Sequence, residues 1–425
     1  MQRWSWLSAM IVACVLALAG RVHAVDPAPA DPDPDDDLST APLTIDFVSR
    51  LAERSHPILR RDTARIDSAT GDAVQAGLYP NPRFDTNNPQ VFTGAQSLFN
   101  GGIMQEFVVK GKLRLDRAAA TKVVHQNQFA YVQDRVGLLT AVRQQFYTTL
   151  AAQRRVEILH ELQQITQRSL NVGRKLEQAG EGSGIDVLLL GIDAERVEAN
   201  LVNAEALLQG ERKQLSSIVG IPNLVDRDVE GSLYAKTPDF DEEVMQKFVT
   251  NDSALIEIAR LDVERNRILL KRAEVEPYPN PTLGPAFQYG TTPGSEQYWL
   301  TVTFPIPTSD RNQGKIHAAR ANVRDSTENL NTVQLELLRH VADALSRYRA
   351  LRAQELKYRK QIIPDALRTM RKAQSGYAEG VFDFSRFLQA QRTVVEANMD
   401  NIGILESVWT TAAELAGLLQ LNQFP

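Results

Sequence analysis

The chain has 425 residues, a formal net charge of −5, 43% hydrophobic residues and one cysteine, Cys14. That length can bury more than one core, while a single thiol excludes a disulfide framework and thiolate metal sites. A weakly acidic balance gives no electrostatic footprint for nucleic acid.

Met1 to Ala24 combines a basic start (Arg3), an apolar run from Trp6 to Ala19 and the small-residue ending Val22-His23-Ala24. This predicts an export signal over 1–24. Ile11-Val12-Ala13-Cys14 also resembles a lipoprotein box, so lipidation of Cys14 is the alternative. Residues 26–37 then hold six Asp and four Pro, so 25–40 reads as an acidic, proline-rich disordered leader. Removing Arg3 and Arg21 takes the charge to −7, and setting aside those six Asp leaves −1 for residues 38–425. No run after Ala24 reaches 18 consecutive apolar residues, so any membrane crossing has to use β-strands.

The remainder is duplicated. Tyr79-Pro80-Asn81-Pro82 returns as Tyr278-Pro279-Asn280-Pro281, an offset of 199. Gly111-Lys112-Leu113-Arg114 is echoed by Gly314-Lys315-Ile316-His317, an offset of 203. Glu181-Gly182 with Val197-Glu198-Ala199-Asn200 is matched by Glu379-Gly380 with Val395-Glu396-Ala397-Asn398, 198 apart. Three ordered matches define two repeats, 41–235 and 237–420.

Each repeat begins with a helical pattern, from Ile45 to about Gln75 and from about Glu242 to Val275, halted by Gly77 and Pro80 and by Pro277. Strands follow, at about 83–91 and 102–109 in the first repeat and 282–290 and 296–304 in the second. The second pair is the clearer: Leu283, Pro285, Phe287 and Tyr289 alternate with small or polar residues, as do Tyr298, Leu300, Val302 and Phe304. These hairpins either cover a helical core or cross a bilayer. Their length, and aromatics near the ends (Tyr298, Trp299, Phe304), suit tilted barrel strands at a membrane interface. Four strands cannot close a solute-sized barrel, and lipid tolerates no open edge, which predicts an obligate oligomer.

Long helices come next, at 111–177 and 313–377, then shorter ones at 185–219 and 383–419. Some 65 residues make a rod of about 100 Å, and two short helices end to end match one rod, which fits a layer of antiparallel rods. Pro364 interrupts the second rod alone, as a harmless bend or a functional one. At the far end lie Gly180, Gly182 and Ser183 in one turn and Gly380, Phe382, Asp383 and Phe384 in the other, where Ser183 and Asp383 suit helix caps.

Leu43 to Asp46, Tyr79 to Pro82, Gly111 to Ala118, Gly380-Val381-Phe382-Asp383-Phe384 and Leu388-Gln389-Ala390-Gln391-Arg392 together resemble the outer-membrane efflux family typified by TolC. The resemblance covers about 43–420. It implies a mainly α fold with a transmembrane β part: a homotrimer in which each chain gives four strands to a shared twelve-stranded barrel and its helices to a periplasmic tunnel. It further implies a periplasmic adaptor and an inner-membrane pump of the RND type as partners. The tip residues above then contact the adaptor, Asp186, Arg386 and Gln389 lie at the entrance, and Tyr79 to Pro82 and Tyr278 to Pro281 form the helix-to-barrel corners. Gln389 stands where relatives commonly carry Asp, which puts a ring of carboxylates in doubt. The Gly-x-Phe-Asp-Phe turn and the Gly-Lys rod start are similar to the heavy-metal branch typified by CzcC.

The chain itself shows no metal chemistry: six separated histidines, no His-x-His and no ligand spacing. No nucleophile elbow, phosphate loop or dinucleotide motif occurs, so an enzyme and a cofactor are not expected. The reading is an exit duct of a tripartite pump; a periplasmic helical scaffold or tether without channel activity is the alternative.

Overall fold

The structure is a computed structural model that describes residues 43–86, 98–180, 182–221, 224, 227–290, 294, 296–379, 381–382 and 384–424. The leader and signal segment fall outside this set. The helical pattern ahead of each hairpin resolves into two helices. In the first repeat α1 (Ile45–Ser55) ends at His56, whose Nδ1 accepts from the Ile58 amide at 3.2 Å to cap α2 (Pro57–Gln75). Pro57 has no N–H to continue α1 and sits at the first position of α2, where none is needed. In the second repeat Asp241 caps α5 (Glu242–Asn251) and Ser253 caps α6 (Ala254–Val275). Local capping chemistry thus overrides a continuous apolar period.

Strands β1 (Arg83–Thr86), β2 (Leu98–Glu106), β3 (Thr282–Gly290) and β4 (Gln297–Thr303) form one antiparallel sheet in chain order. The reading of 102–109 for the second strand moves toward the N-terminus, starting four residues earlier and ending three earlier. Val108 and Val109 favour strand, but the chain must turn there into a rod through Lys110 and Gly111, whose φ values are 59° and 67°. The expected strand 83–91 is described only as far as Thr86; residues 87–91 lie outside the described set.

The first rod, α3 (Lys112–Gln178), is an unbroken helix of 67 residues, about 100 Å long. It is followed by α4 (Gly184–Val219). The second rod divides into α7 (Gln313–Lys357), a π turn (Tyr358–Ile362) and α8 (Ile363–Ala378), before α9 (Phe384–Leu418). Pro364 explains the division: it cannot donate to the Lys360 carbonyl and its ring crowds that oxygen, so the helix widens by one residue.

The rods lie in a layer. Rod α3 packs with α2 and α6 along its sheet-proximal part and with α4 and α9 further down, while α7 packs on α6, α9 and α5. Where the short helices meet, the core is aromatic. Trp409 is fully buried, stacked on Tyr147 at 4.5 Å, and donates to the Leu233 carbonyl at 2.8 Å. The buried Arg143 holds the C-terminal segment through the Leu421 and Asn422 carbonyls at 2.9 and 2.7 Å.

Candidate functional site

The sheet is turned inside out. Its register places Phe287 opposite Tyr298, Pro285 opposite Leu300, Leu283 opposite Val302, Phe99 opposite Tyr289 and Phe84 opposite Ile103. All of these share one face; Leu283 is half-buried and the others are exposed, up to 83% at Tyr298. The other face carries Asn100, Gly102, Ala286, Gln288, Thr301 and Thr303, with Gly102 and Ala286 buried. It is also packed tightly, since a Cβ at Gly102 would lie 2.9 Å from that of Ala286. A soluble sheet buries its apolar face; here the apolar face is left uncovered. Tyr298 belongs to the apolar side near the start of β4, and Phe304 follows its last residue. Trp299 departs from the expected interface belt, because alternation puts it on the polar face opposite Ala286.

The two proline motifs sit at the corners between rod and sheet, in unequal surroundings. At the second, Asn280 accepts from the Val109 amide at 3.3 Å and donates to Glu106 Oε1 at 2.8 Å. Lys112 Nζ, on a residue only 3% exposed, donates to the Tyr278 and Glu276 carbonyls at 2.7 and 3.3 Å and lies 3.5 Å from the Glu276 carboxylate. Arg272 bonds both Glu276 and, at 2.9 Å, Asp116. Partial burial of Glu276 works to raise its pKa, but Arg272 and then Lys112 outweigh it, so the carboxyl titrates below the ordinary range. At the first motif Tyr79, Pro80, Asn81 and Pro82 are all exposed. The Gly-Lys repeat was visible in the sequence, but that its lysine locks the opposite repeat's corner was not.

At the far end, Gly180 has a φ of 75°, and the Gly182 amide donates to the Leu176 carbonyl at 3.0 Å to close α3. Ser183 Oγ accepts from the Ile185 amide at 3.2 Å and caps α4. In the other turn the Val381 and Phe382 amides share the Gly376 carbonyl at 2.8 and 3.0 Å, and the Phe382 ring covers Gly376 where no Cβ would fit. Arg386 stacks on that ring at 5.5 Å. Gly380, Asp383 and the Phe384 side chain lie outside the described residues. The two turns are bound to each other by a buried cluster of Leu170, Leu190, Phe387 and Leu388, with Tyr377 stacked on Phe387 at 5.8 Å. Asp186 is half-buried; burial, and then its charge, push the Tyr377 hydroxyl pKa up. Arg386 and Gln389 are exposed at the start of α9. Sequence reasoning missed the pair below them, Arg392 with the buried Asp193, because nothing in the spacing announces a contact across 199 residues.

Among the described residues no group of three or more His, Cys, Asp or Glu could hold a metal, and no helix is long and apolar enough to cross a membrane.

The outer membrane efflux protein family model matches residues 48–221 and 259–419. The chain belongs to that family. As an outer membrane efflux protein it is 25% identical over 386 residues to the cobalt-zinc-cadmium resistance protein CzcC of Cupriavidus metallidurans, covering 90% of this chain and 91% of the relative. Its fold is similar to that of CusC, with a TM-score of 0.78 at 14% identity, covering 88% of this chain and 91% of that one. It is also similar to that of VceC from Vibrio cholerae, with a TM-score of 0.74 at 18% identity, covering 88% and 96%.

Proposed function

We propose that the chain is the outer-membrane exit duct of a tripartite efflux system, working as a homotrimer with a twelve-stranded barrel. One observation carries this reading: the sheet exposes its large apolar side chains on one face and sets small and polar residues on the other, as strands do between lipid and a wet lumen. Four strands leave β1 and β4 as open edges that only further copies can close. The rods below extend the lumen, and the paired turns at the far end form the periplasmic tip, contacted by an adaptor that links to an inner-membrane pump of the RND type.

The cargo class follows from the resistance relative rather than from a site: heavy-metal cations such as cobalt, zinc and cadmium. A duct need not ligate what it passes, so an absence of clustered ligands is compatible with metal cargo. The deciding experiment is to purify the protein in detergent, weigh it by light scattering and insert it into planar bilayers. A trimer with stable conductance is expected; a monomer, or silent bilayers, would sink the duct. Separately, deleting the gene should sensitise its host to those cations, and unaltered tolerance would remove the metal assignment alone.

A further inference from the structure

Two helices of the first repeat meet around a buried acid. Asp62, on α2, is 2% exposed, and both of its arginine partners bind one oxygen: Arg61 Nε and Arg65 Nη1 each donate to Oδ1 at 3.1 Å. The other oxygen, Oδ2, is buried with no donor. Arg61 also reaches across to the rod α3, where its Nη2 donates to Asp134 Oδ2 at 2.9 Å. A single guanidinium therefore spans both carboxyl groups and holds them side by side, Asp62 inside the joint and Asp134 on a side chain 34% exposed.

Packing does not call for acids here. The second repeat joins the equivalent helices, α6 and α7, with carbon: the buried residues of α6 are Ala254, Ile256, Ala259, Leu261 and Val263. The rod offset of 203 carries Asp134 to Leu337, which is 6% exposed. Buried ionic groups can be exchanged for apolar ones of similar volume at little or no cost in stability, so leucine would serve this joint as well. What Oδ2 of Asp62 lacks is a donor, and a carboxylate beside it becomes one on taking up a proton.

We propose that Asp62 and Asp134 form a proton site: one proton, carried by Asp134, closes an O–H···O bond to Asp62 across the α2–α3 joint. Two neighbouring carboxylates repel when both are ionised, which favours the singly protonated pair. Partial burial, and then Asp62, push the Asp134 pKa above its ordinary value, against the pull of Arg61 and Arg65. Those two arginines are the cations facing the pair from α2; on α3 the next residue, Arg135, turns instead to Glu53 of α1 at 2.7 Å. A carboxyl whose folded pKa is raised contributes its bond in full below its unfolded pKa and loses it as pH rises through the folded value, the reverse of Glu276. Acid thus tightens the helix that leads into the Tyr79 to Pro82 corner, while it loosens the corner that Glu276 holds. The site needs only these two helices and stands apart from the channel reading.

The test is hydrogen exchange of the full-length protein, read by mass spectrometry on peptides from residues 57–75 between about pH 4 and pH 7, from the ordinary carboxyl range to neutrality, with rates corrected for the intrinsic effect of pH. In wild type the opening constant of α2 should rise with pH, by at most about tenfold per unit, and level off above the folded pKa of Asp134. Asp134→Asn supplies a permanent donor without the charge, so it should abolish the rise and hold α2 at neutral pH as tightly as acid holds wild type. Asp134→Ala supplies no donor; it should abolish the rise but leave α2 opening more often than in Asp134→Asn. Peptides from residues 254–263 of α6, where the joint is apolar, should show no such rise. A wild-type α2 indifferent to pH, or equal protection in the Asn and Ala variants, would overturn the shared proton. An Asp134→Asn variant that opens more readily than wild type at neutral pH would also overturn it, leaving Asp134 as an ion-pair partner of Arg61 alone.

Discussion

Arg392 on α9 reaches Asp193 on α4, with Nη2 at 2.7 Å and Nε at 3.3 Å from the same carboxylate oxygen. Each residue belongs to a different repeat, so the pair ties the two short helices on the tip side of the molecule. The partners are unequal, because the Asp193 carboxylate is 9% exposed and the Arg392 side chain 42%.

That inequality sets the order of two substitutions. Arg392→Ala strands a buried carboxylate and should cost about 3 kcal/mol. Asp193→Asn removes the buried charge and lets the guanidinium turn to water, for about 1 kcal/mol. Urea midpoints of the two variants check this. Equal losses, or a larger loss for Asp193→Asn, would mean that the pair does not hold the carboxylate in place.

Legibility in the sequence followed periodicity and failed at long-range contacts. The first rod was readable because apolar residues from Phe129 to Leu150 recur every three or four positions inside a long stretch without proline. Strands β3 and β4 were readable because Leu283 to Tyr289 and Tyr298 to Val302 alternate without interruption. Strand β2 was harder: Gly101 and Gly102 break its pattern, while Val108 and Val109 imitate a strand where the corner forbids one. The breaks at His56 and Ser253 were hidden because single capping atoms make them. At the tip, Gly182 and Ser183 could be named from turn chemistry, but the stacking of Tyr377 on Phe387 and the reach of Arg392 to Asp193 depend on how α4 and α9 meet.

The inverted sheet predicts opposite outcomes for adjacent residues of β4. Leu300 is 67% exposed on the apolar face, so Leu300→Arg places a charge against lipid and should destabilise the inserted assembly by about 2–4 kcal/mol. Thr301→Arg points to the other face and should leave assembly intact while shifting ion preference toward anions. Heat-modifiability on gels reads the first and reversal potentials in planar bilayers the second. The reverse assignment of effects would place Thr301 against lipid.

The corner should be acid-sensitive through Glu276. Its folded pKa lies below the ordinary value because Arg272 and Lys112 outweigh its partial burial. A depressed carboxyl contributes stability above its unfolded pKa and loses it as pH falls through the folded value. Wild type should therefore exceed Glu276→Gln in unfolding midpoint at neutral pH, and the gap should close on acidification. A gap that stayed constant down to about pH 3, below the titration of ordinary carboxylates, would show that the carboxylate contributes no charge-dependent stability.

The π turn makes the second rod weaker than the first at one place. Pro364 leaves the Lys360 carbonyl without its usual donor, and the turn is held instead by the Ile363 amide reaching back to the Tyr358 carbonyl and by Tyr358 Oη donating to Asp400 at 3.3 Å. Immediately beyond it, Ala366 packs on Val394 and Ala397, which ties α8 to α9, while α7 packs on both α6 and α9. An interior proline costs a helix about 3 kcal/mol, most of which the widened turn relieves. Pro364→Ala should therefore add only about 1 kcal/mol of local stability, read as slower amide exchange at residues 359–363, with exchange over the matching stretch of α3 unchanged. If opening of the tip bends the rod at this turn, the same variant should lower open probability in planar bilayers. Slower exchange with unaltered gating would confine the π turn to packing and put the moving part elsewhere in the tip.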